Sequence, residues 1–158
     1  MAEPRWLTYA RTFNGLMEYP GPATNHTIAG WLKSLKAWWS DDQTAWCGTF
    51  VAHCMQHYGI ELPKNWFRAK DWASWGKPCP PCVGAIGVKS RVGGGHVFFV
   101  VGQGMGVIYA YGGNQGDKVC TIPIRKDEVE AYRWPASEPL VAMSLPQMAG
   151  GKVGASEA

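Results

Sequence analysis

The side chains that could carry out chemistry here are five cysteines and four histidines. Cys47 stands in DDQTAWCGTF (residues 41–50), after a polar, helix-starting cluster and before an apolar run. Thr44 is a natural N-cap for the helix that follows, and Asp42 is the alternative. With Thr44 as the cap, Cys47 falls in the first helical turn. The backbone N–H groups of that turn lack intrahelical partners, and the helix end carries partial positive charge. Both effects stabilise a thiolate and lower a cysteine pKa from its free value of roughly 8.5. The same N–H groups can receive the oxyanion of an attacked carbonyl. The chemistry this suits is acyl transfer through a thiolate nucleophile.

Such a thiol needs a base. His53 and His57 follow on the same helix, rotated away from the Cys47 face, and are expected to pack or lie at the surface. Their i, i+4 spacing is that of a zinc pair, but Cys54 stands where a metalloprotease needs Glu. His26 lies in a turn beside Asn25 and is given no role. His96 follows three glycines in RVGGGHVFFVV and opens a strand. The glycines leave room for a substrate or a partner segment. The next strand offers an orienting group. If residues 102–106 form a hairpin loop, Asn114 lies two residues beyond the position opposite His96. With a shift of two in register it lies directly opposite. Either way it shares the face of His96 and is close enough for an amide oxygen to fix the imidazole tautomer. By strand alternation Gln115 points to the other face, and Asp117 falls past the strand end.

Amphipathic stripes and turn signals supply the elements that must hold these groups. Trp6, Leu7, Ala10, Phe13 and Met17 mark a first helix, stopped by Pro20-Gly21-Pro22. Ile28, Trp31, Leu32, Leu35, Trp38 and Trp39 mark a second. Cys47, Phe50, Val51, Cys54, Met55 and Tyr58 mark a third, with Gly59 as its stop. A short helix is expected in FRAKDWASWG, then a proline-stiffened loop, KPCPPCVG. From residue 84 the period changes. GAIGV, HVFFVV, GVIYAYGG, KVCTIPI and EAYRWP read as antiparallel strands, with GQGMG as a five-residue hairpin loop. Helices first and a meander second give an α+β domain over residues 1–146, with 147–158 as a frayed tail.

The chain has 158 residues, which suits one domain with a full core. A net charge of +3 without a basic run is too small to indicate nucleic-acid binding. No apolar stretch reaches the length of a membrane span, and the N-terminus does not read as a secretory signal. The chain is expected to be made in the cytoplasm and to reach any external target after release or injection. An odd cysteine count argues against a disulfide framework. The CPPC at 79–82 lacks the further ligands of a zinc site, so neither metal nor cofactor is expected.

Taken together, ARTFNGLMEYPGPATNHTIAGWL, DDQTAWCGTFVAHCMQHYGI, GGGHVFFVVG and YGGNQGD resemble the CHAP-type, papain-like cell-wall hydrolases, in the small single-domain form of phages and bacteria. The resemblance runs from about residue 8 to 135. It departs from the family at GAIGV, where members carry an acidic Gly-Asp pair. It implies a papain-like fold, with N-terminal helices packed on a C-terminal antiparallel sheet. It implies Cys47 as nucleophile, His96 as base and Asn114 as orienting residue, with the oxyanion taken by the Cys47 N–H or the Gln43 side chain. Gln43, Trp46, Trp72 and Gly95 are expected to line the substrate groove. Trp66, Trp72 and Trp75 flank its entrance, where packing of the short helix is favoured over stacking on substrate. The implied substrate is the peptide part of peptidoglycan, cut by a monomer. The setting would be phage lysis with a holin-type release partner, or an injected toxin with an immunity protein. A non-catalytic wall-binding module and an unrelated cysteine acyltransferase are the competing readings.

Overall fold

The computed structural model describes residues 2–18, 25–39, 46–91 and 94–150. Three helices come first: α1 (Arg5–Arg11), α2 (His26–Ser34) and α3 (Cys47–Gln56). A 3₁₀ helix (Ala69–Ser74) leads into β1 (Lys77–Pro78), β2 (Ile86–Arg91), β3 (Gly94–Gly104), β4 (Val107–Gly112), β5 (Cys120–Arg125) and β6 (Val129–Trp134). The six strands pair antiparallel, in the order β1-β6-β2-β3-β4-β5. The architecture is α+β. The meander holds from β2 to β5, but β6 crosses back to pair with β2.

The helices are shorter than their apolar stripes. α1 ends at Arg11, and Met17 beyond it forms an isolated bridge with Lys118. α2 opens at His26 rather than leaving it in a turn, because the Asn25 side chain accepts from the N–H groups of Thr27 and Ile28. It ends before Trp38 and Trp39. Lys36 takes a left-handed φ of 60°, Ala37 N–H donates to Leu32 and Lys36 N–H to Lys33. That is a Schellman ending built on lysine instead of glycine, and it turns both tryptophans off the helix face.

The β3–β4 hairpin also differs from expectation. Gly104 pairs with Val107, so the loop is Met105-Gly106, not residues 102–106. Gly106 supplies the positive φ that a two-residue hairpin needs. A bulge between Val100 and Gly102 shifts the register, after which Phe99 faces Tyr111. The C-terminal segment is not frayed up to residue 150. Gln103 N–H donates to Pro146, Met148 N–H donates to Gln103, and Tyr109 Oη donates to Gly150. Residues 151–158 of the expected tail lie outside the described residues.

α3 packs across β3 and β4, with Phe50 in aromatic contact with Phe99 and Tyr111. The Tyr111 hydroxyl donates to Ala10 of α1, which ties the first helix to the same sheet. In the CPPC loop the Cys79 thiol hydrogen-bonds Cys82. This pushes Cys79 up and draws Cys82 down from their ordinary values.

His53 and His57 are aromatic packing elements. His53 stacks on Trp31 and shares a 2.8 Å hydrogen bond with the Tyr9 hydroxyl, and His57 stacks on Tyr9. Burial, then the neighbouring His57, lowers the His53 pKa to about 4. The unfolded chain protonates near 6.5, so between these values it binds a proton that the native state refuses. Stability is therefore full above pH 6.5 and falls as the pH drops toward 4. Denaturant titration should show a loss of about 2 kcal/mol from this residue between pH 7 and 4.5. His53→Phe should flatten that slope. An unchanged slope would show that His53 is not the group responsible.

Candidate active site

Cys47 is the first residue of α3, and the residue at the cap position is Trp46, which makes no side-chain cap. Thr44, Asp42 and Gln43 lie outside the described residues, so the expected caps and one of the two oxyanion donors fall there. The first intrahelical bond runs from Phe50 N–H to Trp46. The N–H groups of Cys47, Gly48 and Thr49 precede it and point out of the helix end. Cys47 is buried, as is Cys54 one face-repeat further on. Burial raises the Cys54 thiol well above its ordinary value, so that sulfur is inert.

His96 stands near the start of β3 and is fully buried, stacked on Phe98. Its Nε2 lies 2.8 Å from Oε1 of Gln115. The amide that meets the imidazole is thus that of Gln115, where Asn114 was expected. Strand alternation fails here because β4 ends at Gly112. Asn114 then takes a left-handed φ of 60°, which reverses the chain and carries Gln115 back over the sheet end. Asn114 is itself buried, and its Nδ2 has no hydrogen-bond partner among the described residues.

The Gln115 amide can face only one way. Its Nε2 donates to the carbonyls of Ala110 (3.2 Å) and Cys120 (2.6 Å), and carbonyls cannot donate in return. Oε1 is therefore the atom facing the imidazole. An amide oxygen only accepts, so His96 must carry its proton on Nε2. Nδ1, the nitrogen that Gln115 does not engage, keeps the basic lone pair. Cys120 adds a thiol hydrogen bond to the Gln115 carbonyl, which holds the loop from the other side.

Two bridges link the start of α3 to the start of β3. The first is the loop after β4. A methyl group at Gly113 would lie 2.7 Å from the Trp46 ring and 2.9 Å from Phe50, so only glycine lets this loop lie on the helix start. Gly112 touches Phe98 and the Gln115 amide from the same loop. The second bridge is residues 66–70. Gly48 lies against the backbone of Trp66 and Phe67, and Gly95 against Ala69 and Lys70. Cys47 lies between the two contacts on α3, and His96 between the two on β3. Directly across from His96 on β2 is Lys89, buried, with its ammonium 3.2 Å from Glu128.

Three expected groove residues change role. Trp72 is fully buried and donates its indole N–H to Trp66, so it packs the 3₁₀ helix. Trp46 is equally buried and donates to the Glu18 carboxylate at 2.9 Å. The space beside Gly95 is filled by Ala69 and Lys70, so its lack of a side chain serves packing. Trp75 packs edge-on against Trp72 and donates to Glu61. Gln115 was missed because alternation was carried past the strand end. The GGN run was the available signal, since asparagine after glycine is prone to the left-handed conformation.

Among the described residues no group of three or more histidines, cysteines and carboxylates could hold a metal ion, and no helix is long and apolar enough to cross a membrane. No family model, curated protein or solved structure matches the chain.

Proposed function

We propose that this chain is a papain-like cysteine hydrolase of the CHAP type that cleaves an amide bond in the peptide part of peptidoglycan, in the setting of phage lysis. The observation that carries the catalytic reading is the clamped imidazole. Gln115 spends its amide hydrogens on two carbonyls and offers its oxygen to His96 Nε2, which commits Nδ1 as the base. The substrate class rests on the resemblance of the Cys47, His96 and YGGNQGD segments to the cell-wall hydrolases.

In the proposed reaction His96 Nδ1 takes the proton of the Cys47 thiol, and the sulfur attacks the amide carbonyl. The N–H groups at the start of α3 receive the oxyanion. The imidazolium returns its proton to the leaving amine as the C–N bond breaks, leaving a thioester. Water, deprotonated by the same nitrogen, releases the acid and the thiol. Gln115 keeps the ring in one tautomer throughout.

The test is a zymogram on purified cell walls with amine release measured in solution. The native chain is expected to clear the walls and release amines, and Cys47→Ala to lose at least a thousandfold of that rate. Equal clearing by both proteins would end the proposal. Wall binding without amine release would identify a non-catalytic module, and ligated rather than hydrolysed products an acyltransferase.

A further inference from the structure

The residues that α2 fails to hold form a second surface beside the site. Trp38 is 90% exposed, and Phe67 is also exposed. Trp38 meets Trp39 edge to face, Trp39 stacks on Trp66 at 5.9 Å and 30°, and Phe67 meets Trp39 edge to face. Trp38 and Trp39 form one wall of a cleft of about 390 Å³ floored by Ala29, Gly30 and Ala37, with Lys33 at its edge. Four aromatic rings thus make a continuous platform. One end opens into a cleft, and the other, through the backbone of Trp66, touches Gly48 next to Cys47.

We propose that this platform binds the glycan strand of peptidoglycan by stacking its sugar rings on Trp38 and Trp39. The proposal rests on the peptidoglycan reading above and extends it to the part of the polymer that is not cut. The face of an indole is electron-rich, and the C–H bonds on the flatter side of a pyranose are weakly positive, so the two stack. The cleft falls within the roughly 300–1,000 Å³ of ligand sites. Charge agrees as well. Lys33 borders the cleft, the Arg68 guanidinium lies 5.8 Å from the Phe67 ring, and the chain is net positive, while the stem peptides hanging from the strand carry carboxylates. Continuity fixes the direction. A stem peptide whose amide reaches Cys47 is joined to its sugar a few bonds away, and the surface next to Cys47 on this side is Trp66. A lipid surface is the weaker occupant, because only Trp38 protrudes while the other rings are packed into a wall.

The experiment is co-sedimentation of the Cys47→Ala protein with glycan strands stripped of peptide, with intact walls and with anionic phospholipid vesicles. Stripped glycan is expected to bind. Trp39→Ala should weaken binding about tenfold, the effect of losing roughly one stacked ring. Trp38→Ala should weaken it several-fold, Trp38→Tyr should restore it and Trp38→Leu should not. Trp38 is so exposed that its replacement does not threaten folding. No binding to stripped glycan, unchanged binding in the Trp38→Ala/Trp39→Ala double variant, or loss confined to vesicle binding would overturn the platform. Amine release by the native chain is a separate readout. If it fails while glycan binding holds, the hydrolase reading falls and the platform stands. If walls are cut but the tryptophan variants bind as before, the platform alone falls.

Discussion

Gln115→Ala is expected to lower the rate of amine release by about a hundredfold, with little change in apparent affinity for the wall. The residue is buried against His96, so in the proposed reaction it acts through His96 as a positioning group. Its loss removes an acceptor that holds Nε2 and with it the preference for the tautomer that bares Nδ1. Removing an ionised third member of a triad costs up to about 10⁴ by producing the wrong tautomer. A neutral amide contributes less electrostatic stabilisation to the imidazolium, which brings the expectation down to about 10², or ~3 kcal/mol of barrier. Gln115→Glu should be no better. A carboxylate can accept from His96 but cannot donate to Ala110 and Cys120, so two carbonyls would face an anion. A merely structural role predicts something else: equal losses in Gln115→Ala and Asn114→Ala, and no change in the pH profile. The clamp predicts that Gln115→Ala shifts the acidic limb of that profile while Asn114→Ala leaves it in place. If Asn114→Ala proves the more damaging variant, the assignment of the clamp is wrong.

That contrast marks where the sequence was legible and where it was not. The class of the fold, the apolar face of α3 from Cys47 to Met55 and the placement of His96 at a strand opening follow from local signals, because a stripe or a glycine run acts over a few residues, while α3 starts after Trp46 with no side-chain cap. The register near His96 also followed in one of its two forms. The pairing of Phe99 with Tyr111 extends to place residue 114 opposite residue 96. What did not follow was the escape of the chain from that pairing. One left-handed residue, Asn114, moves the amide by one position and onto the other face. The loop around it is held by a local turn, Gln115 N–H to Lys118, and by contacts distant in sequence, Gly113 on Trp46 and Glu18 N–H to Asp117. In the same way the stripe of α2 runs through Trp38 and Trp39 in the sequence, while Lys36 ends the helix beneath them. Periodicity reports which residues would share a face if the helix continued, and carries no information on where it stops. The buried tryptophans failed for a related reason. Burial of Trp46 and Trp72 depends on segments 28 and 6 residues away that receive their indole N–H groups.

Trp46 leads to the second large effect. Trp46→Ala is expected to destabilise the protein by about 3–5 kcal/mol, in the range for emptying a large aromatic site in a core. The ring is the joint of three segments. It fills the space that Gly113 leaves, it precedes the helix that begins at Cys47, and its N–H holds Glu18, whose own backbone N–H donates to Asp117 in the loop that carries the clamp. Removing it leaves a cavity between the start of α3 and the loop after β4, so the loss should fall on the site as well as on global stability. Trp46→Phe separates the two contributions. It keeps a ring against Gly113 but gives up the hydrogen bond to a carboxylate, at a cost of about 1–2 kcal/mol. Urea unfolding of the three proteins gives the ranking, and alkylation of Cys47 under native conditions gives the local effect. The sulfur should become more accessible in Trp46→Ala than in Trp46→Phe, because only the former opens the joint. A cost below 1 kcal/mol for Trp46→Ala, with the damage confined to substrate affinity, would instead return this tryptophan to the substrate groove. The burial seen here would then have to open whenever wall polymer binds.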